Sequence, residues 1–325
     1  MPVSNIVDTI WHGMDAVTIE GDLLRATIIP GLGAKIASLV DKRINHEWLV
    51  GPGSRPVRPV PYGATWPEHD MSGWDEMFPT INACPYPGPT APGTPLPDHG
   101  EVWSMPWNGE PAKEGELTLA VTGRALPYHL TRTASVEGPS LRLRYRVVNQ
   151  GPDRLSMLWA AHPQFTCTAE TRILLPPEVD QVLRVYDPGM GWQPNGVVQK
   201  WPDALDRDGH PVRLDRVGAV SRKDCRKLYL TPEQRANWAG LVDATSGNWL
   251  RLTWDAIVVP YLGVWVDEGC FNTVSTVALE PTTGFYDSLA TASEAGRVMI
   301  LPAQTSQEWE VVVEVGTEGI PWPPH

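Results

Sequence analysis

Cysteine is scarce in this chain. Its four cysteines, Cys84, Cys167, Cys225 and Cys270, stand far apart in 325 residues with no C-x-x-C spacing. That excludes a disulfide scaffold and a cysteine-built zinc site, and it fits idle thiols in a reducing compartment. Long apolar runs are missing too, so no segment reads as a transmembrane helix. The opening stretch MPVSNIVDTI has neither a basic lead nor an apolar h-region. The expectation is a soluble, cytoplasmic protein with no membrane partner. Basic runs are also absent: 26 Lys and Arg face 38 Asp and Glu, a formal charge of −12. With no patch to neutralise a phosphate backbone, nucleic acid is excluded as a partner. Capped helical periodicity is hardly found. The best candidate is a short turn at Thr231-Pro232-Glu233-Gln234-Arg235, with threonine as N-cap and proline at the first helical position.

What is abundant points the other way. The 33 prolines and 29 glycines punctuate the chain into many short elements joined by tight turns. Period-two alternation is cleanest at Leu141 to Val147, where leucine, tyrosine and valine alternate with arginine, as a half-buried strand requires. Similar runs lie at Leu23 to Ile29, Lys35 to Val40, Leu117 to Thr122, Leu155 to Ala160, Trp249 to Thr253, Tyr261 to Val266, Asn272 to Leu279, Val298 to Leu301 and Glu308 to Val315. The fold class expected is all-β, a large antiparallel β-sandwich with few short helices, formed by residues 1–325 as a single domain.

One segment breaks the rhythm. Residues 52–97 are dense in proline yet carry Trp66, Trp74, Met77, Phe78 and Ile81. Loops of that length in compact domains are functional or linkers, and the apolar anchors predict that this one packs across a face and walls a cleft.

Three stretches hold the residue types of general acid–base chemistry. The first is Asp98-His99-Gly100-Glu101-Val102-Trp103 with Pro106-Trp107. If extended, it places His99, Glu101 and Trp103 on one face. The second is His162-Pro163-Gln164-Phe165, where proline biases the histidine toward extended backbone at a strand end. The third is the apolar run from Val274 to Leu279, closed by Glu280-Pro281-Thr282-Thr283. Trp265 and Asp267 share a strand face nearby. Taken one at a time, each has a bland reading: a hydrogen-bonded strand histidine, a rim carboxylate, a core tryptophan.

Taken in order, D-H-G-E-x-W-x-x-P-W at Asp98 to Trp107, H-P-x-F at His162 to Phe165 and the strand ending in Glu280 resemble the galactose mutarotase-like superfamily, in particular aldose 1-epimerases. The Pro30 to Leu39 hairpin and Gly73-Trp74-Asp75-Glu76-Met77-Phe78-Pro79 extend the resemblance over most of the chain. It implies a supersandwich that interconverts α and β anomers of a hexose or related sugar. Glu280 would be the general base, His162 the general acid and His99 a second polar group on the sugar. Trp74, Asp75, Glu101, Trp265 and Asp267 would bind the substrate. A carboxylate and an imidazole, with ordinary pKa values of about 4.3 and 6.5, suffice for that reaction. No metal and no organic cofactor is expected, and the partners are a small-molecule sugar and, at most, a second copy of the chain as a homodimer.

The galactose-specific branch has Asn-Arg shortly before its first histidine and Tyr after His-Pro, whereas this chain has Gln164 at the latter place. Galactose is therefore not implied. Lys35, Arg55 and Arg58 are candidates for meeting an anionic sugar. The rival readings are a non-catalytic carbohydrate-binding or regulatory module on the same fold, a polysaccharide lyase and, last, a cupin-like metal site on His99, Glu101 and His162.

Overall fold

The computed structural model describes residues 4–186 and 195–319. Among these the chain builds a 13-stranded and an 8-stranded sheet, with every strand pair antiparallel. Alternation along the strands explains how the sheets stack. In the large sheet Ile36, Trp74, Ala161, Leu279, Val264 and Leu228 point inward. There they join Leu130, Leu143 and Val311 of the smaller sheet in one apolar core. The opposite face of the large sheet is left to polar side chains and to the part of the proline-rich excursion around Trp66; the excursion is not irregular throughout, because Trp74–Met77 enters the large sheet as a strand and Trp74, Met77, Phe78 and Ile81 join the core.

The strands expected from alternation are present, with informative shifts. Leu155 to Ala160 divides into Leu155–Met157, which pairs with Met299–Leu301, and Ala160–Pro163, which enters the large sheet. The strand expected from Asn272 begins only at Thr276. Before it, Asp267 accepts backbone N–H bonds from Gly269, Cys270, Phe271 and Asn272 and so winds these residues into a loop. Thr231 to Arg235 is a turn rather than a helix. Its hydrogen bond from Gln234 N to Thr231 O spans 2.9 Å, and nothing propagates it. The α-helix found among the described residues is Leu289–Glu294, entered at Ser288, whose Oγ accepts from Thr291 N.

One polar cluster ties the two sheets through the core. Glu76 Oε1 accepts from Arg132 Nη1 and from Tyr145 Oη, both at 2.8 Å, and its Oε2 accepts from Trp159 Nε1 at 2.8 Å. Arg132 also donates to the Ala34 carbonyl. With all partners in place the buried charge is compensated; removing one leaves it bare. Arg132→Met is therefore expected to cost about 3–5 kcal/mol in urea denaturation, and pairing it with Glu76→Met to recover most of that loss. A single-variant loss below about 1 kcal/mol, the range of exposed pairs, would contradict this reading.

Candidate active site

Strand register assembles the site. Ile36 pairs with Trp74, so Lys35 stands beside Asp75; Asp75 pairs with His162; Ala160 pairs with Thr282, so His162 stands beside Glu280. Glu280 pairs with Gly263, and Gly263 with Tyr229. Because directly opposed residues share a face, Lys35, Asp75, His162, Glu280 and Tyr229 form one row across the concave side of the sheet. Gly263 leaves the gap in that row. A Cβ there would lie 3.1 Å from the Tyr229 ring and 3.3 Å from Glu280 Oε2, so any other residue would push the carboxylate aside.

Glu280 is 1% exposed. Its Oε2 lies 2.7 Å from Lys227 Nζ, and its Oε1 lies 4.0 Å from His162 Nε2. Lys227 reaches Asp287 Oδ1 as well, at 2.8 Å, and Tyr229 Oη donates to that same oxygen at 2.8 Å. Burial pushes the Glu280 carboxyl above its usual range; attraction to Lys227 opposes the rise and repulsion from Asp287 adds to it. His162 moves the opposite way. Burial first, then the positive charges at His99, Lys227 and Lys35, hold its imidazole well below the ordinary histidine value. Gln164 Nε2 lies 3.0 Å from His162 Nε2, and an amide that can turn either end to the ring accommodates either tautomer.

The excursion supplies the opposite wall. Trp66 donates its backbone N–H to Asp98 Oδ2 and its indole N–H to Asp75 Oδ2, both at 2.9 Å. Held at two points, its ring stacks on His99 at 5.0 Å and meets His162 edge-on at 4.5 Å. His99 and Gly100 both have left-handed backbone, a bend that brings the histidine to the cavity. A Cβ on Gly100 would strike the Phe78 backbone. The cavity, open on one side, has a volume of about 330 Å³, and His99, His162, Lys227, Trp265, Glu280 and Asp287 are among the groups around it, with Trp66, Tyr186, Phe271 and Tyr286 as further aromatic walls. An apolar pocket of this size with a few convergent polar groups has the form of a small-ligand site.

His99, His162, Glu280 and Trp265 thus line one cavity, although the sequence separates them widely. The other expected substrate contacts lie elsewhere. Trp74 is fully buried in the core, since it neighbours Asp75 and must face away from it. Asp75 sits behind Trp66, bonded to its indole and to Lys35 Nζ at 2.8 Å. Glu101 is not on an extended strand with His99. It precedes a 3₁₀ turn, Val102–Ser104, and accepts hydrogen bonds from Tyr62, Tyr128 and the backbone of Arg124 and Ala125. Asp267 is spent on its loop. The proposed anion-binding cations are also engaged away from the cavity: Lys35 is sealed among Asp70, Asp75 and the Ser72 carbonyl, Arg55 binds Asn272 and the Phe271 carbonyl, and Arg58 is exposed.

Lys227, Asp287 and Tyr186 escaped the sequence reading, whereas Trp66 was expected as an anchor of a cleft wall and does line the cavity. Lys227 lies in Asp224–Leu230, whose Asp-Cys-Arg-Lys opening looks like a solvated edge. All seven residues of the strand are buried, and its cations are matched by carboxylates, Arg226 by Glu268 and Lys227 by Glu280 and Asp287. Those partners come from other strands and from the loop that follows the Glu280 strand, so local pattern holds no sign of them. Asp287 follows the Glu280 strand by only a few residues, and its link to Tyr229 is equally non-local.

No protein-family model and no curated protein sequence matches the chain. Solved structures do. A Synechocystis protein superposes with a TM-score of 0.70 at 18% identity, covering 93% of this chain and 96% of that one. A galactose mutarotase-like protein from Lactobacillus casei gives 0.67 at 18%, covering 93% and 100%. A galactose mutarotase related enzyme from Lactobacillus acidophilus gives 0.64 at 14%, covering 93% and 97%. Agreement across nearly the full length of both chains establishes the architecture: this chain has the galactose mutarotase-like β-sandwich fold.

Proposed function

We propose that the protein is a mutarotase of the aldose 1-epimerase type, interconverting the anomers of an uncharged hexose or closely related sugar. The observation that carries this reading is the placement of Glu280 and His162. Their nearest polar atoms are 4.0 Å apart on the floor of an aromatic-walled cavity. Glu280 takes the proton of the anomeric hydroxyl, the O1 electron pair forms the carbonyl, and the bond from C1 to the ring oxygen breaks. His162 delivers a proton to the ring oxygen as it leaves. Rotation about C1–C2 and reclosure with both transfers reversed gives the other anomer and restores both side chains. Trp265 and Trp66 offer flat surfaces for the apolar face of a pyranose, and His99 is close enough to His162, with ring centroids 5.0 Å apart, to hold the same oxygen.

Charge supports the uncharged substrate. Lys227 is the lysine on the cavity wall among the described residues, where no arginine lines it, and two carboxylates already neutralise it. A phosphate or sulfonate would be desolvated without a partner.

Exchange NMR on purified protein tests the reading over a panel of neutral, phosphorylated and sulfonated sugars. Acceleration is expected for a neutral aldose and little for the anionic ones; sugar binding with no acceleration would select the non-catalytic module instead. Glu280→Gln and His162→Ala are each expected to lower the rate by roughly 10²-fold or more, as for a positioned acid or base, in a chain that still folds. Full activity in folded Glu280→Gln would remove that residue from the mechanism.

The pH profile follows from the two shifts. Glu280 acts ionised, so activity falls as pH drops through its raised pKa. His162 acts protonated, so activity falls as pH rises through its lowered one, below 6.5. The optimum is expected on the acid side of neutrality. A rate that stays flat up to pH 8 would show that His162 does not deliver the proton.

A further inference from the structure

We infer that Lys227 is a positioning residue for Glu280. Together with Asp287 it forms a clamp that seals one carboxylate oxygen and leaves the other turned to His162 and the cavity. This deepens the mutarotase reading by assigning the regulation of its base, though its test does not depend on turnover.

The argument begins with geometry. A buried carboxylate needs a partner for each oxygen or an opening to a ligand. Glu280 Oε2 is fully buried and is matched by charge rather than by a well-directed hydrogen bond: Lys227 Nζ stands 2.7 Å away as its ion-pair partner. Oε1 has His162 Nε2 at 4.0 Å, beyond hydrogen-bond length, and so keeps its lone pairs for a ligand. Lys227 cannot swing away, because Asp287 Oδ1 holds it from the other side at 2.8 Å and Tyr229 Oη fixes that oxygen in turn. The lysine stem is only 8% exposed, and Nζ lies 5.6 Å from the centroid of the Tyr229 ring. Gly263 completes the arrangement by withholding the Cβ that would separate Tyr229 from Glu280.

Chain connectivity makes the clamp a device of the tertiary fold. Lys227 comes from Asp224–Leu230 and Glu280 from Thr276–Thr282, with Tyr261–Glu268 lying between them in the sheet. The lysine, which stands opposite Trp265 in the register, therefore reaches across a whole strand to meet the carboxylate. The charged and titratable groups facing Glu280 are Lys227 and Tyr229 from one strand, Asp287 from the following loop, His162 from the neighbouring strand and His99 from the covering excursion. Of these, Lys227 favours the ionised carboxylate and Asp287 disfavours it. The balance between them sets how much Glu280 is available as a base near neutral pH.

Two substitutions in the same cluster should move the carboxylate in opposite directions. The readout is a ¹³C NMR titration of the Glu280 side-chain carboxyl in the full-length protein, with the resonance identified by its loss in Glu280→Gln. Lys227→Met is expected to raise the midpoint by about one pH unit or more, the usual size of an opposite charge within ~4–6 Å. Asp287→Asn should lower it, since Lys227 then serves one carboxylate. A lysine that merely filled space would leave the Lys227→Met midpoint where it is in the unaltered protein, and that result, or any displacement in the wrong direction, overturns the assignment. Should Lys227→Met fail to fold, Lys227→Gln is titrated in its place: a higher midpoint supports the clamp and an unchanged or lower one refutes it. Because the titration does not need turnover, absence of anomer exchange would count against the proposed function without touching this result.

Discussion

A carboxylate buried beneath an aromatic cavity is the constraint around which the concave face is organised. Ionised, Glu280 would be prohibitively costly there without a cation, and a buried cation would be as costly without an anion. Lys227 and Asp287 resolve both costs, at 2.7 and 2.8 Å. The requirement then spreads outward. Gly263 must lack a side chain, Tyr229 must hold Asp287, and the aromatic walls must keep water from dispersing the field of the cluster.

A second buried charge has a different office. Glu76 sits one residue from Asp75 but on the other face, where Arg132, Tyr145 and Trp159 satisfy it within the core. Period-two alternation on a single strand, Trp74–Met77, thus sends one carboxylate to bind the sheets together and its neighbour to brace Trp66 against two histidines. Core and site share the strand and are separated only by the pleat.

Much of this was legible beforehand. Alternation located the strands at Leu141 to Val147 and Tyr261 to Val266 because one face of each is apolar. The order of His99, His162 and Glu280 along the chain pointed to an acid–base site. The reading failed where a long-range partner overrides local pattern. Glu101 looked like a pocket residue beside His99, yet four donors drawn from Tyr62, Tyr128 and the Arg124–Ala125 backbone capture it. Asp224–Leu230 was not picked out as a strand, since its charged opening shows no simple alternation and its neutralising carboxylates are remote.

By itself the sequence determined the all-β character, the short punctuated strands and the residue types available for proton transfer, since these depend on side-chain periodicity and on glycine and proline, which act within a few residues. The tertiary structure decided which of those groups meet. Register is what sets Glu280 beside His162, and the packing of the excursion is what sets Trp66 and His99 over them. Whether a given carboxylate faces a ligand, a loop or the core depends on partners far away in the chain, and local pattern carries no information about those distances.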